Sequence, residues 1–132
     1  MRGLTDRNTS LWAGFVLHTS KGHIYFAGDT GFGMHFEQIR NKFGPMKLSF
    51  IPIGPINPRE FMAPMHLGPN DAVDAHIVLQ SENSIAMHFG TFQQAEDDRD
   101  EAVKLLVKAR CSKIKDSTQF LVPFNGRFFD FD

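Results

Sequence analysis

The chain has 132 residues, enough for one domain, and 42% of them are hydrophobic, including 14 Phe, which predicts a packed core rather than disorder. A net charge of −1 argues against the basic surface that nucleic-acid binding needs, and no apolar run is long enough to span a membrane. The polar N-terminus does not resemble a signal peptide, and the single cysteine, Cys111, excludes an internal disulfide. We therefore expect a cytoplasmic domain in which Cys111 is buried as a small apolar group.

Two strand-like runs, 11–19 and 22–27, begin the predicted elements and are joined by a short hairpin turn at 20–22. Residues 34–43 carry apolar side chains at helical spacing, and Gly44-Pro45 ends this predicted helix. A short apolar run at 48–53 predicts a buried strand. The loop that follows, 54–69, contains four prolines and is long for a compact domain unless it is functional.

The second half of the chain alternates helix and strand in the same way. Residues 70–80 predict a helix whose N-cap is Asn70 or Asp71, and residues 84–88 predict the next strand. The acidic run 97–101 is typical of a first helical turn, and a strand pair is expected at 120–124 and 127–131 around Asn125-Gly126. The order β-β-α-β-α-β-α-β-β predicts an α/β layer architecture, with 1–132 as a single domain.

Two of the predicted strands end at side chains that could bind a metal. The run 22–27 stops at Gly28-Asp29-Thr30-Gly31, and the run 84–88 ends in His88. Because α/β proteins place their chemistry at the carboxyl edge of the sheet, we expect the Asp29 oxygen and the His88 nitrogen within roughly 4–7 Å of each other, the span of a shared metal. The alternatives are structural: Asp29 as an Asx turn or helix cap, and His88 as a hydrogen-bonded histidine.

Other polar side chains could belong to the same site. His66 lies in the proline-rich loop and could be an acid, a base, a substrate contact or an ordinary loop histidine. We expect it on the edge that holds Asp29, because loops that follow parallel strands share one edge. Thr30 and Thr91 could orient the two metal ligands. The remaining histidines lack a partner pattern and are interpreted as structural: His18, His23, His35 and His76.

Short motifs follow one another along nearly all of residues 2–131. They are Gly28-Asp29-Thr30-Gly31, Phe36-Glu37-x-Ile39, Phe43-Gly44-Pro45, Ile51-Pro52-Ile53-Gly54, Pro58-Arg59-x-Phe61-Met62, His66 and Ala86-Met87-His88-Phe89-Gly90-Thr91-Phe92. Their order resembles the metallo-β-lactamase fold. More narrowly, it resembles the N-acyl-phosphatidylethanolamine phospholipase D-like (NAPE-PLD-like) branch of hydrolases.

The resemblance implies a zinc-dependent hydrolase that acts on a phosphodiester, a lactone or an amide. It implies a small-molecule or lipid-like substrate and a location in the cytoplasm or at the periphery of a membrane. In the family, the Asp of Gly-Asp-Thr-Gly bridges two zincs and the late histidine binds one of them; these positions are Asp29 and His88. The loop histidine near the reacting centre corresponds to His66, so His66 and Asp29 are interpreted as catalytic, and Asp29 and His88 as metal ligands.

The chain also departs from the family pattern. The diagnostic His-x-His-x-Asp-His cluster is absent, and the segment Asp6-Arg7-Asn8 matches one that normally follows another metal-binding histidine. Family members run to roughly twice this length. We therefore interpret the chain as the C-terminal half of an αββα sandwich, one mixed β-sheet with helices on one face. Weak or absent zinc binding and little activity are expected of this chain alone.

A sheet without its facing half exposes more apolar surface than a soluble monomer usually tolerates. We therefore expect a homodimer, or pairing with a missing N-terminal half. Two other interpretations stay open: a catalytically silent truncated fragment that self-associates, and a small self-associating binding module without metal. Zinc content separates the hydrolase from both.

Overall fold

A computed structural model describes residues 13–93, 95–116 and 119–131. The strands form one five-stranded sheet in the order β1-β2-β3-β4-β5. β1 and β2 pair antiparallel, whereas β2–β3, β3–β4 and β4–β5 are parallel. The strands are β1 (Phe15–Thr19), β2 (Gly22–Phe26), β3 (Met46–Pro52), β4 (Asn83–Met87) and β5 (Phe120–Leu121). This mixed sheet confirms the predicted α/β class.

Four helices connect the strands. They are α1 (His35–Phe43), α2 (Arg59–Met62), α3 (Pro69–Val78) and α4 (Glu101–Lys113). α1 begins at the predicted apolar stripe and ends at Gly44, whose φ of +84° suits the left-handed region that glycine tolerates. A parallel strand pair needs a long crossover connection, and α1 and α3 fill the crossovers between β2, β3 and β4.

The core lies on one face of the sheet, because alternate strand residues point to opposite faces. Tyr25, Ser49 and Ser84 are aligned across the three central strands and are all buried. Buried side chains of α1, α3 and α4 join this face in a single hydrophobic cluster, including Phe36, Val73 and Leu106. The prediction of helices on one face is therefore confirmed.

The opposite face of the sheet carries exposed apolar side chains. Phe15 and Leu17 on β1 are 63% and 54% exposed, and Phe26 on β2 is 40% exposed. These positions pair in register across the hairpin, Phe15 with Phe26 and Leu17 with Ile24, so they form one continuous surface. The expected apolar face without a facing layer, hereafter the open face, is present in the described part of the chain.

Several predicted boundaries are wrong. Residues 127–131 form no strand and β5 has only two residues, although the turn at Asn125-Gly126 is present. The N-cap of α3 is Gly68 rather than Asn70 or Asp71, α4 begins at Glu101 rather than at residue 97, and the loop 54–69 contains the short α2. Cys111 is exposed rather than buried. Residues 11–12 of the first predicted strand and the segment Asp6-Arg7-Asn8 lie outside the described residues.

Candidate functional site

The candidate site lies at the edge of the sheet where the parallel strands β2, β3 and β4 end. Asp29 follows the end of β2 by three residues, and His88 directly follows Met87, the last residue of β4. His66 lies in the connection between β3 and α3. Since the carboxyl ends of parallel strands share one edge, three segments that are distant in sequence meet there. This is the placement that the sequence predicts.

The Asp29 carboxylate lies between the two imidazoles. Its Oδ1 is 2.7 Å from Nδ1 of His66, and its Oδ2 is 3.9 Å from Nε2 of His88. The second distance lies just below the roughly 4–7 Å that the sequence analysis expected. The side chains are partly open to solvent, with Asp29 50%, His88 31% and His66 19% exposed. The structure thus brings the three predicted side chains together, while their chemical roles stay a prediction.

His88 is held so that one ring nitrogen faces Asp29. Its Nδ1 lies 3.0 Å from the carbonyl oxygen of Gly54, and because a carbonyl can only accept, Nδ1 carries the proton and donates. The neutral ring then has its lone pair on Nε2, the atom nearest Asp29. The backbone of His88 has φ +61°, a left-handed conformation that is uncommon outside glycine and clusters at functional sites. Histidines that bind metals are oriented by this kind of hydrogen bond.

Backbone contacts draw the His66 loop against the Asp29 loop. The Leu67 amide donates to the Thr30 carbonyl oxygen at 2.9 Å. Gly31 lies so close to the other loop that a Cβ there would be 2.7 Å from the carbonyl oxygen of Pro64. A glycine is therefore required at position 31 for the two loops to approach as they do.

Three charged residues that the sequence did not assign to the site support it through hydrogen bonds: Arg59, Asp71 and Asp97. Arg59 donates through Nη1 to the His66 carbonyl oxygen at 3.0 Å and through Nη2 to the Asp71 carboxylate. Asp71 also accepts from the Gly68 amide at 2.9 Å, which ties the His66 loop to the start of α3. Arg59 belongs to the motif Pro58-Arg59-x-Phe61-Met62, but nothing in the spacing of that motif identifies the partners of Arg59.

The third of these residues is Asp97. Its carboxylate accepts from the Ile56 and Asn57 amides at 2.6 and 2.7 Å, and so fixes the turn that begins at Gly54. Because Gly54 holds His88, Asp97 indirectly fixes that imidazole. The acidic run 97–101 was interpreted as a helix start, and this contact explains why α4 begins later.

The other predicted residues contribute less. The Thr30 hydroxyl donates to the Gly31 carbonyl oxygen at 3.1 Å and lies 3.4 Å from Nε2 of His35, so its contacts are directed away from the predicted role of orienting Asp29. Thr91 lines a cavity of about 370 Å³ that opens beside His88. Asp29 caps no helix, since the N-cap of α1 is Met34 without a side-chain cap bond. The helix-cap alternative for Asp29 is therefore wrong.

His76 is structural, as predicted. It is buried, and its Nδ1 lies 2.9 Å from the Ser84 hydroxyl oxygen. Burial lowers the pKa of the His76 imidazole below its usual value, and burial lowers the pKa of His35 in the same direction. Burial also raises the pKa of the Tyr25 phenol to about 12. These three groups are uncharged at neutral pH.

Large exposed apolar side chains lie close in sequence to the three site residues. Each is within five residues of Asp29, His66 or His88, and together they are hereafter called the apolar rim: Phe32, Met34, Phe61, Met65 and Phe92. In the described part of the chain, no helix is long and apolar enough to cross a membrane. An exposed apolar rim next to a polar centre is typical of a site that receives an apolar molecule or surface.

A metal ion could bind at this edge only with further ligands. Within the described ranges, no group of three or more His, Cys, Asp or Glu side chains could hold a metal ion. The Asp29 oxygen and the His88 nitrogen are two donors 3.9 Å apart, and two bonds of about 2 Å at a tetrahedral angle would bring them to about 3.3 Å, so the pair would have to close slightly on one ion. Their chemistry, an oxygen and an oriented imidazole, suits zinc, but zinc takes about four donors. The residues present therefore fit part of a zinc site.

Comparison with known proteins identifies relatives. Residues 1–89 match the model of a family described as the beta-lactamase superfamily domain. The chain is 44% identical over 92 residues to N-acyl-phosphatidylethanolamine-hydrolyzing phospholipase D 1 of Caenorhabditis elegans, covering 69% of this chain and 26% of that protein. It is 33% identical over 88 residues to a metal-dependent hydrolase of Methanopyrus kandleri, covering 67% of this chain and 34% of that protein. The chain thus spans about a quarter to a third of the length of these relatives.

Solved structures share the fold. An isothiocyanate hydrolase from Delia radicum gut bacteria superimposes with a TM-score of 0.66 at 19% identity, over 89% of this chain and 43% of that one. A metallo hydrolase from Ignicoccus hospitalis superimposes with a TM-score of 0.61 at 23% identity, over 90% of this chain and 46% of that one. At these identities, the likeness supports the fold alone.

Proposed function

The chain belongs to the β-lactamase superfamily, in its N-acyl-phosphatidylethanolamine phospholipase D-like group, and from this premise we propose that it supplies part of the active site of a zinc-dependent hydrolase. Asp29 and His88 are the proposed metal ligands, and His66 is the proposed substrate contact. The observation that carries the proposal is the Asp29 carboxylate, which lies between His66 and the Nε2 atom of His88. Together with the Gly54 contact that orients His88, this is the arrangement of an anchored ligand pair.

Zinc, when bound, supplies Lewis-acid activation of water and stabilises negative charge that develops on the substrate. The chain's own contribution is the placement of protons. The His66 Nδ1–H donates to the ionised Asp29, which leaves the lone pair of His66 on Nε2. This nitrogen is available to accept a proton or a hydrogen bond from the reacting molecule, with Asp29 holding the ring in position.

The missing ligands come, in this proposal, from a second protein layer on the open face. Phe15, Leu17 and Phe26 expose a continuous apolar surface there, and burying apolar surface stabilises by about 25 cal/mol per Å². In the family's sandwich the facing layer is the N-terminal half; a second copy of this chain is the alternative cover for the face, although its described residues would not bring the missing ligands. The chain covers 26% and 34% of the two relatives, which leaves enough of each relative's sequence to form the facing layer.

We propose a lipid-like phosphodiester as the substrate. The Caenorhabditis elegans relative is named for hydrolysis of a phospholipid, and the exposed rim of Phe and Met side chains suits an acyl chain or a membrane surface. The same rim supports the part of the proposal that places the protein at the periphery of a membrane, and the cytoplasmic side stays a proposal from the sequence. Sedimentation with phospholipid vesicles, lost when Phe61 and Met65 are both changed to Ser, tests this part.

The main experiment measures metal content and turnover together. The purified chain alone is expected to hold little zinc and to hydrolyse bis(p-nitrophenyl) phosphate no faster than a blank, since two donors leave zinc mostly hydrated. Addition of the separately purified N-terminal part of the Caenorhabditis elegans relative is expected to raise both zinc content and turnover.

Matched variants complete the design. Asp29→Asn should abolish the gain in zinc content and turnover. The control is Asp74→Asn, which removes an exposed carboxylate on α3 that pairs with Lys113 on α4, and it should retain both. Turnover by the chain alone that Asp29→Asn abolishes would contradict the need for a facing half. A complex that forms without zinc and without turnover would support the catalytically silent fragment instead.

A further inference from the structure

The β1–β2 hairpin holds two histidines that the candidate site does not use. His18 on β1 and His23 on β2 are directly paired in the antiparallel register. His23 lies near the start of β2, and four residues of extended strand, about 13 Å, separate it from Ala27, beyond which Asp29 lies. The pair is therefore at the opposite end of β2 from Asp29.

The two imidazoles lie close together in an edge-to-face arrangement. Their ring centroids are 4.6 Å apart, and their planes are nearly perpendicular at 82°. The Phe43 ring at the end of α1 packs against both, with centroid distances of 5.6 Å to His18 and 6.3 Å to His23. An apolar wall on one side limits the positions that either ring can adopt.

The hydrogen-bonding state of this pair differs from that of the other histidines. His35, His66, His76 and His88 each have a polar partner at a ring nitrogen. Among the described residues, neither His18 nor His23 has one, and the Nδ1 atom of His23 is buried without a partner. A buried polar atom without a partner costs free energy, which a ligand that accepts the nitrogen lone pair would recover.

We propose that His18 and His23 form a second metal site, a two-imidazole site for a divalent transition metal. An ion bonded at about 2.1 Å to one nitrogen of each ring lies about 3.2 Å from each ring centroid. Two such rings, related by 90–110° at the ion, have centroids about 4.5 to 5.2 Å apart, and the observed 4.6 Å falls in this range. Imidazole ligands suit Zn²⁺, Ni²⁺ and Cu²⁺, with Cu²⁺ bound most tightly.

The remaining coordination positions hold water, because no third His, Cys, Asp or Glu side chain completes a metal-binding group within the described ranges. His18 is exposed, so an ion can reach its imidazole directly from solvent. A bound ion joins the edge strand β1 to β2, and it therefore stabilises the folded hairpin by a free energy that grows with the logarithm of the ion concentration above the dissociation constant.

The test uses Cu²⁺ and Zn²⁺ alone, in a background that lacks the proposed ligands at the other edge, Asp29→Asn with His88→Gln. We expect calorimetry to show one Cu²⁺ per chain and electron paramagnetic resonance to show two nitrogen ligands. His18→Gln should weaken Cu²⁺ binding at least about tenfold, because the second imidazole acts at a high effective concentration. Zn²⁺ should raise the midpoint of thermal unfolding in the background chain and not in His18→Gln.

The matched control is His35→Gln, which removes a histidine of α1 and should leave Cu²⁺ affinity unchanged. His18 is exposed on an edge strand, so His18→Gln decides the matter even if His23→Gln fails to fold. Equal Cu²⁺ affinity of the background chain and His18→Gln, or a spectrum with a single nitrogen ligand, overturns the proposal.

Discussion

Replacement of Gly31 by Ala is expected to displace the loop that carries His66. The added methyl would lie 2.7 Å from the Pro64 carbonyl oxygen, whereas ordinary contacts begin at 3.4 Å, so the loop must retreat by about 0.7 Å. If His66 follows, its 2.7 Å hydrogen bond to Asp29 lengthens to about 3.4 Å, where such bonds are weak. Overpacking of this kind costs about 1–3 kcal/mol of unfolding free energy.

Urea unfolding followed by circular dichroism measures the stability, and the imidazole proton resonances of His66 report its contact with Asp29. Gly54→Ala is the matched control, because the nearest atom to its added methyl is 3.7 Å away. The reasoning fails if Gly31→Ala unfolds at the same urea concentration as the parent chain and leaves the His66 resonances unmoved.

Three further predictions concern other parts of the molecule. Arg59→Met should lower the unfolding free energy measured in urea by about 1 kcal/mol, because it removes the contacts with the His66 carbonyl and with the partly exposed Asp71. Arg59→Lys keeps the charge and should restore part of the loss. An equal loss in both variants would argue against a role for the guanidinium geometry. Because burial lowers the pKa of His76, the unfolded chain binds more protons than the folded chain as the pH falls below about 6.5, so the unfolding free energy should decrease there. His76→Gln should make this decrease less steep. An unchanged slope in the variant would exclude His76 as the cause of the pH dependence. Phe15→Ser should shift the chain toward monomer in analytical ultracentrifugation, whereas a parent chain that is already monomeric at micromolar concentration would contradict an associating open face.

The sequence predicted the convergence of the site because strand ends are visible in it. Asp29 and His88 each follow an apolar run, and parallel connectivity brings such ends to one edge whatever the loops between them do. His66 required only that its loop leave the same edge. Residue pattern and register therefore determined this part of the candidate site.

The parts that were missed depend on partners distant in sequence. Residues 127–131 have the composition of a strand, but a strand exists only when another pairs with it, and Phe128 is 90% exposed. Asp97 looked like the first turn of a helix, yet the amides of Ile56 and Asn57 occupy its carboxylate. Neither outcome is visible in local spacing, because both are decided by where another segment of chain lies.

The two clamps on the turn at 54–57 also bear on how this protein can evolve. His88 is bound to Gly54, and Asp97 is bound to Ile56 and Asn57, so both ends of the segment 89–96 are fixed on the same four-residue turn. A loop closed at its base can gain or lose residues with little entropic cost and without moving what lies outside it. Residues 89–93 and 95, which lie between the clamps and line the cavity beside His88, can thus vary, and with them the shape of the cavity, while the proposed ligand stays in place.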